Sequence, residues 1–426
     1  MYEKNMKVLW FEVTEPTNYT SGNTPVGGWQ DSLERIIRKE PNIELTVAFI
    51  SHHNSETKVV DGVTYEPIYF SPYSFKERHF QKYWDVYVKK MLPTALEIIR
   101  KHKPDIIHVF GTEWPFGQIV NYINIPVVIH IQGAIIPYNN ALYPPGYSIF
   151  DELIQCGLSP RKWFKLWEKK RDIRNRAEWE NRTWNNVSNY MGRTNWDKNL
   201  SAIMHPNCYY YHVEEALRPS FLSDNFNWEY LNSNKIRLVS TGCSSFWKGP
   251  DMLLKVAKLL TELGVDFEWN VAGRMPKNIQ NIVERKEGAR YIECHVKILG
   301  FIGHDQLKEL LLASTLYVHT AYVENSPNSI CEAQCVGLPV VSTNVGGISS
   351  LVEDGIDGIL VPANDPWQMA SAIISLSRSR SVLSEFSKIS RAKALLRHND
   401  ENIKNQLLSC YSKVIQTNLC RNDIES

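Results

Sequence analysis

Two acids spaced as Glu324-x7-Glu332, inside the stretch YVHTAYVENSPNSICEAQCVGLPVVSTNVGGISSLVEDGIDGILVPANDP at 317–366, constrain this chain more than any other feature. The residues just before the first acid, 316–319, are a short apolar run between polar neighbours, the pattern of a buried parallel strand. A polar loop with Asn325, Ser326, Pro327 and Asn328 follows. A helix should then start, with Ser329 as its N-cap and Glu332 completing a capping box. A second strand at 339–342 leads to Gly346 and Gly347 and a second short helix. In parallel sheets, ligands sit where strands end and helix N-termini begin, and both acids and both glycines fall there. Carboxylates accept bonds from vicinal hydroxyls and helix termini receive phosphate oxygens, so a ligand bearing both groups fits. A plain capping acid at 332 and a solvated loop acid at 324 fit the pattern as well.

The stretch also holds Glu332-Ala333, G-x-P-V-V from Gly337, V-G-G-x-x-x-L-V-x-D-G from Val345 and G-x-L-V-P from Gly358. In this order and spacing it resembles the donor-binding segment of retaining GT-B glycosyltransferases of family 4. The resemblance implies an α/β chain of two Rossmann-like βαβ domains facing each other across a cleft. It implies that Glu324 contacts the donor sugar, that Glu332 holds the ribose hydroxyls, and that no metal is needed.

At 426 residues two domains are the default, and a net charge of +1 excludes whole-molecule steering toward nucleic acid. Eight scattered cysteines without a C-x-x-C argue for reduced thiols. The N-terminus enters a strand-like run at 7–13 with no apolar stretch long enough for a signal peptide or span, which suits a cytoplasmic location.

A loop ending in Gly27 and Gly28 follows the first strand and precedes a helix with Trp29, Leu33, Ile36 and Ile37 on one face. These glycines either let the backbone approach a ligand or only make a tight turn. Strands at 105–110 and 126–131 end at Gly111 and at Gln132-Gly133, and His108 and His130 inside them read as satisfied core histidines. Many members of the resembled family have histidine where Gln132 stands. An amide cannot carry a proton but can bond a sugar hydroxyl.

The segment 161–182, RKWFKLWEKKRDIRNRAEWENR, interleaves cations with tryptophans. It fits a membrane surface, and a solvated charged helix equally. YMGRTNWDKN at 190–199 resembles the last strand of the family's first domain.

The expected organisation is a first domain at 1–217, a linker at 218–234, a second domain at 235–400 and a final helix at 401–426 that in this family crosses back onto the first domain. In the family the loop 242–249 is G-R-x-x-x-x-K-G, whose cations neutralise the donor diphosphate. Lys248-Gly249 is in place, but Cys243 stands where arginine is expected, and Arg274 after the strand 267–272 is a substitute by topology alone. Gly300-Phe301 matches the turn that meets the nucleobase.

The expected activity is therefore retaining sugar transfer from a nucleotide diphosphate sugar to a glycan or lipid-linked glycan acceptor. A nucleotide-sugar epimerase and a catalytically silent binding subunit are the alternatives.

Overall fold

Apolar runs bounded by polar turns become strands of two sheets in a computed structural model that describes residues 5–20, 28–223, 227–230 and 232–425, with side chains to 418. The first sheet comprises β1 (Met6–Glu12), β2 (Ile43–Ile50), β3 (Lys58–Val60), β4 (Val63–Ile68), β5 (Ile106–Phe110), β6 (Val127–His130), β7 (Asn189–Gly192) and β8 (Tyr209–His212). Their order is β3-β4-β2-β1-β5-β6-β7-β8, and every described pairing is parallel except β3 with β4. Side chains of β1 alternate between two cores, Val8 and Trp10 entering one and Leu9 and Phe11 the other. Burial on both faces explains why the strand reads as a continuous apolar run.

The second sheet comprises β9 (Ile236–Thr241), β10 (Phe267–Ala272), β11 (Val296–Gly300), β12 (Leu316–His319), β13 (Val340–Thr343) and β14 (Gly358–Val361), all parallel, in the order β11-β10-β9-β12-β13-β14. Counted within the unit this is the doubly wound order 3-2-1-4-5-6. The direction of winding reverses between β9 and β12, so the ends of these two strands open the crevice in which such sheets take ligands.

The chain divides into one unit of Met1–Ile136, Trp167–Ala216 and Asn399–Ser426 and another of Pro137–Leu166 and Leu217–His398. The expected uninterrupted first domain at 1–217 is thus corrected, because residues 137–166 pack with the second unit. Tyr147 lies in the second unit's core and donates to Glu287 at 2.5 Å, and Asp151 pairs with Lys286 at 2.8 Å. Arg218 also belongs to the second unit's fold and not to a free linker.

The last helix, Asp400–Glu425, buries Ile403, Leu407, Cys410, Tyr411 and Val414 in the first unit's core. The hydroxyl of Tyr411 accepts Trp10 Nε1–H at 2.9 Å and lies 2.8 Å from His108 Nδ1, joining this helix to β1 and β5.

The basic segment lies in one helix, Pro160–Asn186, but its length is not uniform in environment. Asn175, Glu180, Thr183 and Trp184 are buried, and Trp179 donates to Asp85 at 2.7 Å. Only the first turns present aromatic rings to solvent, whereas exposed cations continue through Lys169 and Arg174 to Arg182.

Candidate functional site

In the second unit β9 ends at Thr241, and the chain turns through Gly242 and Cys243 into a 3-10 turn, Phe246–Lys248, before the helix Pro250–Glu262. Gly249 closes this turn at φ +70°, where a Cβ would lie 1.9 Å from the Thr320 carbonyl. No other residue fits that position. Glycine lets the turn press against the loop after β12, and Lys248 Nζ pairs there with the Glu324 carboxylate.

His319 Nε2 lies 3.8 Å from the same carboxylate. Burial lowers the His319 pKa to about 4, so its ring is neutral and Lys248 is the cation that faces Glu324. From the other side Gly347 N–H donates to the Glu324 carbonyl at 3.0 Å, and Gly346 sits against that carbonyl at φ +55°. The Gly347 N–H is therefore engaged within the protein. The expectation that it faces phosphate is corrected: the glycine pair positions the backbone of Glu324.

The capping box is also corrected. The helix spans Asn328–Val336 with Pro327 at its N-cap, and no side chain caps it. The Tyr317 hydroxyl lies 2.9 Å from Thr241 Oγ1 and ties β12 to the end of β9. Glu332 is 5% exposed and pairs with Arg218 at 3.0 Å. Sequence reasoning missed Arg218. Its one local signal is Pro219, which holds the preceding residue extended, here at φ −64°, ψ 134°.

The acids are thus met by Lys248 and Arg218, while Arg274 lies exposed past the end of β10. Burial pushes the Cys243 thiol up to about 12, so that position is a neutral wall of the crevice. Asn325 and Ser326 are buried behind Glu324, and Asn328 and Ser329 are half-buried. The Gly300 carbonyl accepts Gly273 N–H at 2.7 Å, and Phe301, 73% exposed, stands just past the end of β11.

In the first unit the polar groups gather where β5, β6 and β7 end. Gly27 lies outside the described residues. Gly28 is the N-cap of the helix Trp29–Ile37 at φ −85°, and a Cβ added there would meet nothing within 4 Å, so its surroundings impose no steric requirement for glycine.

Gly111, at φ +84°, lies between two side chains: its Cβ would come within 2.3 Å of Glu113 Oε2 and 3.8 Å of Gln132 Cδ. Burial raises the pKa of Glu113, and the nearby Arg176 and Arg193 guanidiniums oppose the rise. Arg176 lies over the rings of Trp84 and Trp114 and donates to the Glu113 carbonyl at 2.9 Å.

Behind them, Glu180 accepts from Ile135 N–H at 2.9 Å, Ile136 N–H at 3.0 Å and Thr112 Oγ1 at 2.9 Å, fixing the chain that leaves Gln132. His108 and His130 are fully buried and their pKa values are lowered, first by burial, so both are neutral. His130 makes no ring-nitrogen hydrogen bond among the described residues, which corrects the satisfied-histidine reading for that residue. It packs edge-on against Trp29 at 4.7 Å instead.

Burial raises the Glu180 pKa to about 7. A raised carboxyl favours the folded state below its unfolded pKa and loses that contribution as pH climbs through the folded value. Stability should therefore fall by up to roughly 3 kcal/mol from this group between about pH 5 and pH 8. Chemical denaturation across that range should show a clearly flatter profile in Glu180→Gln. Parallel profiles would remove Glu180 as the source.

Among the described residues no group of three or more His, Cys, Asp or Glu side chains is arranged to hold a metal. No described helix is long and apolar enough to cross a membrane.

Residues 224–393 match the family model described as glycosyl transferases group 1. The amylovoran biosynthesis glycosyltransferase AmsK of Erwinia amylovora is 26% identical over 178 residues, which are 40% of this chain and 43% of that protein. The matched stretch thus spans less than half of that relative's length. Across whole chains, sucrose-phosphate synthase from Thermosynechococcus elongatus superposes with a TM-score of 0.72 at 14% identity, covering 97% of this chain and 100% of that one. Anabaena Alr3699/HepE, solved in complex with UDP and glucose, gives 0.64 at 16% identity, covering 96% and 100%. The chain accordingly has the fold of GT-B glycosyltransferases, and its residues 224–393 carry the group 1 glycosyl transferase signature.

Proposed function

We propose that the protein is a retaining, metal-independent glycosyltransferase that moves a sugar from a nucleotide diphosphate sugar to an acceptor hydroxyl. The observation that carries this reading is the Lys248–Glu324 pair at the ends of β9 and β12, the switch point of the second sheet. A nucleoside diphosphate sugar matches this site, with phosphate oxygens for Lys248 and hydroxyls for the two carboxylates.

Glu332 takes the ribose hydroxyls, Phe301 stands against the base beside Gly300, and Glu324 meets the donor sugar. Arg218 or Arg274 supplies the second cation that Cys243 does not. Asn325, Ser326, Asn328 and Ser329 shape the loop around the phosphates and sugar, with Gly346 and Gly347 fixing its backbone. Gln132 holds the acceptor hydroxyl.

In the transfer, the bond from the anomeric carbon to the diphosphate oxygen breaks as the acceptor oxygen bonds to the same face. The acceptor proton passes to the departing diphosphate, whose developing charge Lys248 stabilises. Neither glutamate then needs to act as a proton carrier. The acceptor is a glycan or lipid-linked glycan in cell-surface polysaccharide or glycoconjugate assembly, met at the cytoplasmic side.

Calorimetric titration with a panel of nucleoside diphosphate sugars tests the donor role. Glu332→Ala should weaken the preferred donor by about 10–100-fold, since a buried carboxylate accepting hydroxyl bonds contributes roughly 1.5–3 kcal/mol. Unchanged affinity would sink the assignment. Tight binding without turnover on any acceptor would point to a silent binding subunit instead.

A further inference from the structure

The helical hairpin at 149–166 carries a surface for which sugar transfer gives no use. The helix Ile149–Cys156 exposes Phe150 and Ile154, 69% and 63%, and Leu158 just past its end is 94% exposed. Phe150 and Ile154, four apart, share one face of that helix, and Leu158 follows beyond the turn at Gly157. The start of the helix Pro160–Asn186 adds Trp163 and Phe164, each 46% exposed. Groups of large exposed apolar side chains mark interaction surfaces.

The hairpin is not frayed. Its inner side is held by buried Tyr147 and Leu166 and by the Asp151–Lys286 pair at 2.8 Å, and Trp163 Nε1–H donates to the Gly157 carbonyl at 2.8 Å. The exposed rings are therefore presented by a fixed scaffold.

Charge selects the occupant. Between Glu152 and Glu168 there is no acid, and the exposed cations Arg161, Lys162 and Lys165 lie among the rings. A second copy of the same face would bring like charges together. Anionic headgroups neutralise these cations while indole and phenyl rings enter the boundary beneath them.

We propose that this hairpin docks the protein onto an anionic lipid surface. Such docking rests on the transfer reading only for its purpose, as the meeting place with a lipid-linked acceptor, and it is tested without donor or acceptor. A protein that binds lipid and transfers no sugar would overturn only the transfer reading.

The test is co-sedimentation of the full chain with vesicles of phosphatidylglycerol and phosphatidylcholine in equal parts, against phosphatidylcholine alone. The protein should sediment with the anionic vesicles and be released by raised salt. Both the Phe150→Ser/Leu158→Ser/Trp163→Ser variant and the Arg161→Glu/Lys162→Glu/Lys165→Glu variant should lower the partition coefficient at least about tenfold. Trp367→Ser, at an exposed tryptophan elsewhere in the unit, should bind as the parent does. Equal Tm values across the variants check that folding is retained. The proposal is overturned if the parent does not bind, if the hairpin variants bind equally well, if Trp367→Ser loses as much, or if the hairpin changes abolish a dimer in place of lipid binding.

Discussion

Lys248→Ala should lower turnover of the nucleotide sugar by a factor of about 10²–10³, the usual cost of removing one donor aimed at developing charge. The same change leaves Glu324 without its ammonium partner. Breaking a fully buried pair costs about 3–5 kcal/mol. Lys248 keeps 27% of its side chain exposed, so a loss nearer about 2 kcal/mol is expected here. The two effects separate in a cycle with Glu324→Gln. The double variant should regain much of the stability, since no unpaired charge remains, yet stay as inactive as the lysine change alone. Denaturation curves and steady-state nucleotide release on the four proteins decide it. A Lys248→Ala protein with normal turnover would leave the diphosphate without its assigned cation and defeat the proposed role.

How much of this site could be read from sequence depends on the range over which each contact acts. The strands at 267–272 and 316–319 were legible as β10 and β12, because burial on both faces writes itself as a continuous apolar run. Lys248 was legible beside Gly249 in the loop after β9, and Glu324 by its spacing from Glu332 in the loop after β12.

Arg218 was not legible. Its partner Glu332 lies 114 residues away, and nothing local distinguishes this arginine from a surface one. The capping box failed because the helix starts at Asn328 with Pro327 as its N-cap, which puts Ser329 inside the first turn. Glu113 and Glu180 carry raised pKa values because distant segments bury them together. Glu180 reaches back 45 residues to Ile135, and no spacing rule anticipates that. The basic segment misled in the opposite direction. Its composition is uniform, but half of it packs inside the first unit, and only the fold tells which aromatics face out.

Gly346→Ala should be one of the two most damaging single methyl additions in the second unit, alongside Gly249→Ala. The added Cβ would sit 1.8 Å from the Glu324 carbonyl oxygen, 2.9 Å from its carbon and 3.2 Å from the Glu324 nitrogen. All three are backbone atoms, so no side chain can swing aside. At φ +55° an alanine also takes a left-handed conformation costing roughly 1–2 kcal/mol before any clash. To relieve the overlap, either the loop after β13 or the loop bearing Glu324 must shift, and the Gly347 N–H bond to the Glu324 carbonyl goes with it. A stability loss of at least about 3 kcal/mol is expected, with donor affinity falling as Glu324 leaves Lys248. Gly28→Ala supplies the contrast: at φ −85° with open space around the Cβ, it should change stability by no more than about 0.5 kcal/mol. Gly300→Ala falls between, because its φ of +72° is strained but nothing lies within 4 Å. Urea denaturation of the three proteins, with calorimetry of nucleoside diphosphate binding on each, gives the ordering. If Gly346→Ala kept both stability and affinity, the glycine pair would not be what holds Glu324 in place, and the loop N–H groups would return as phosphate ligands.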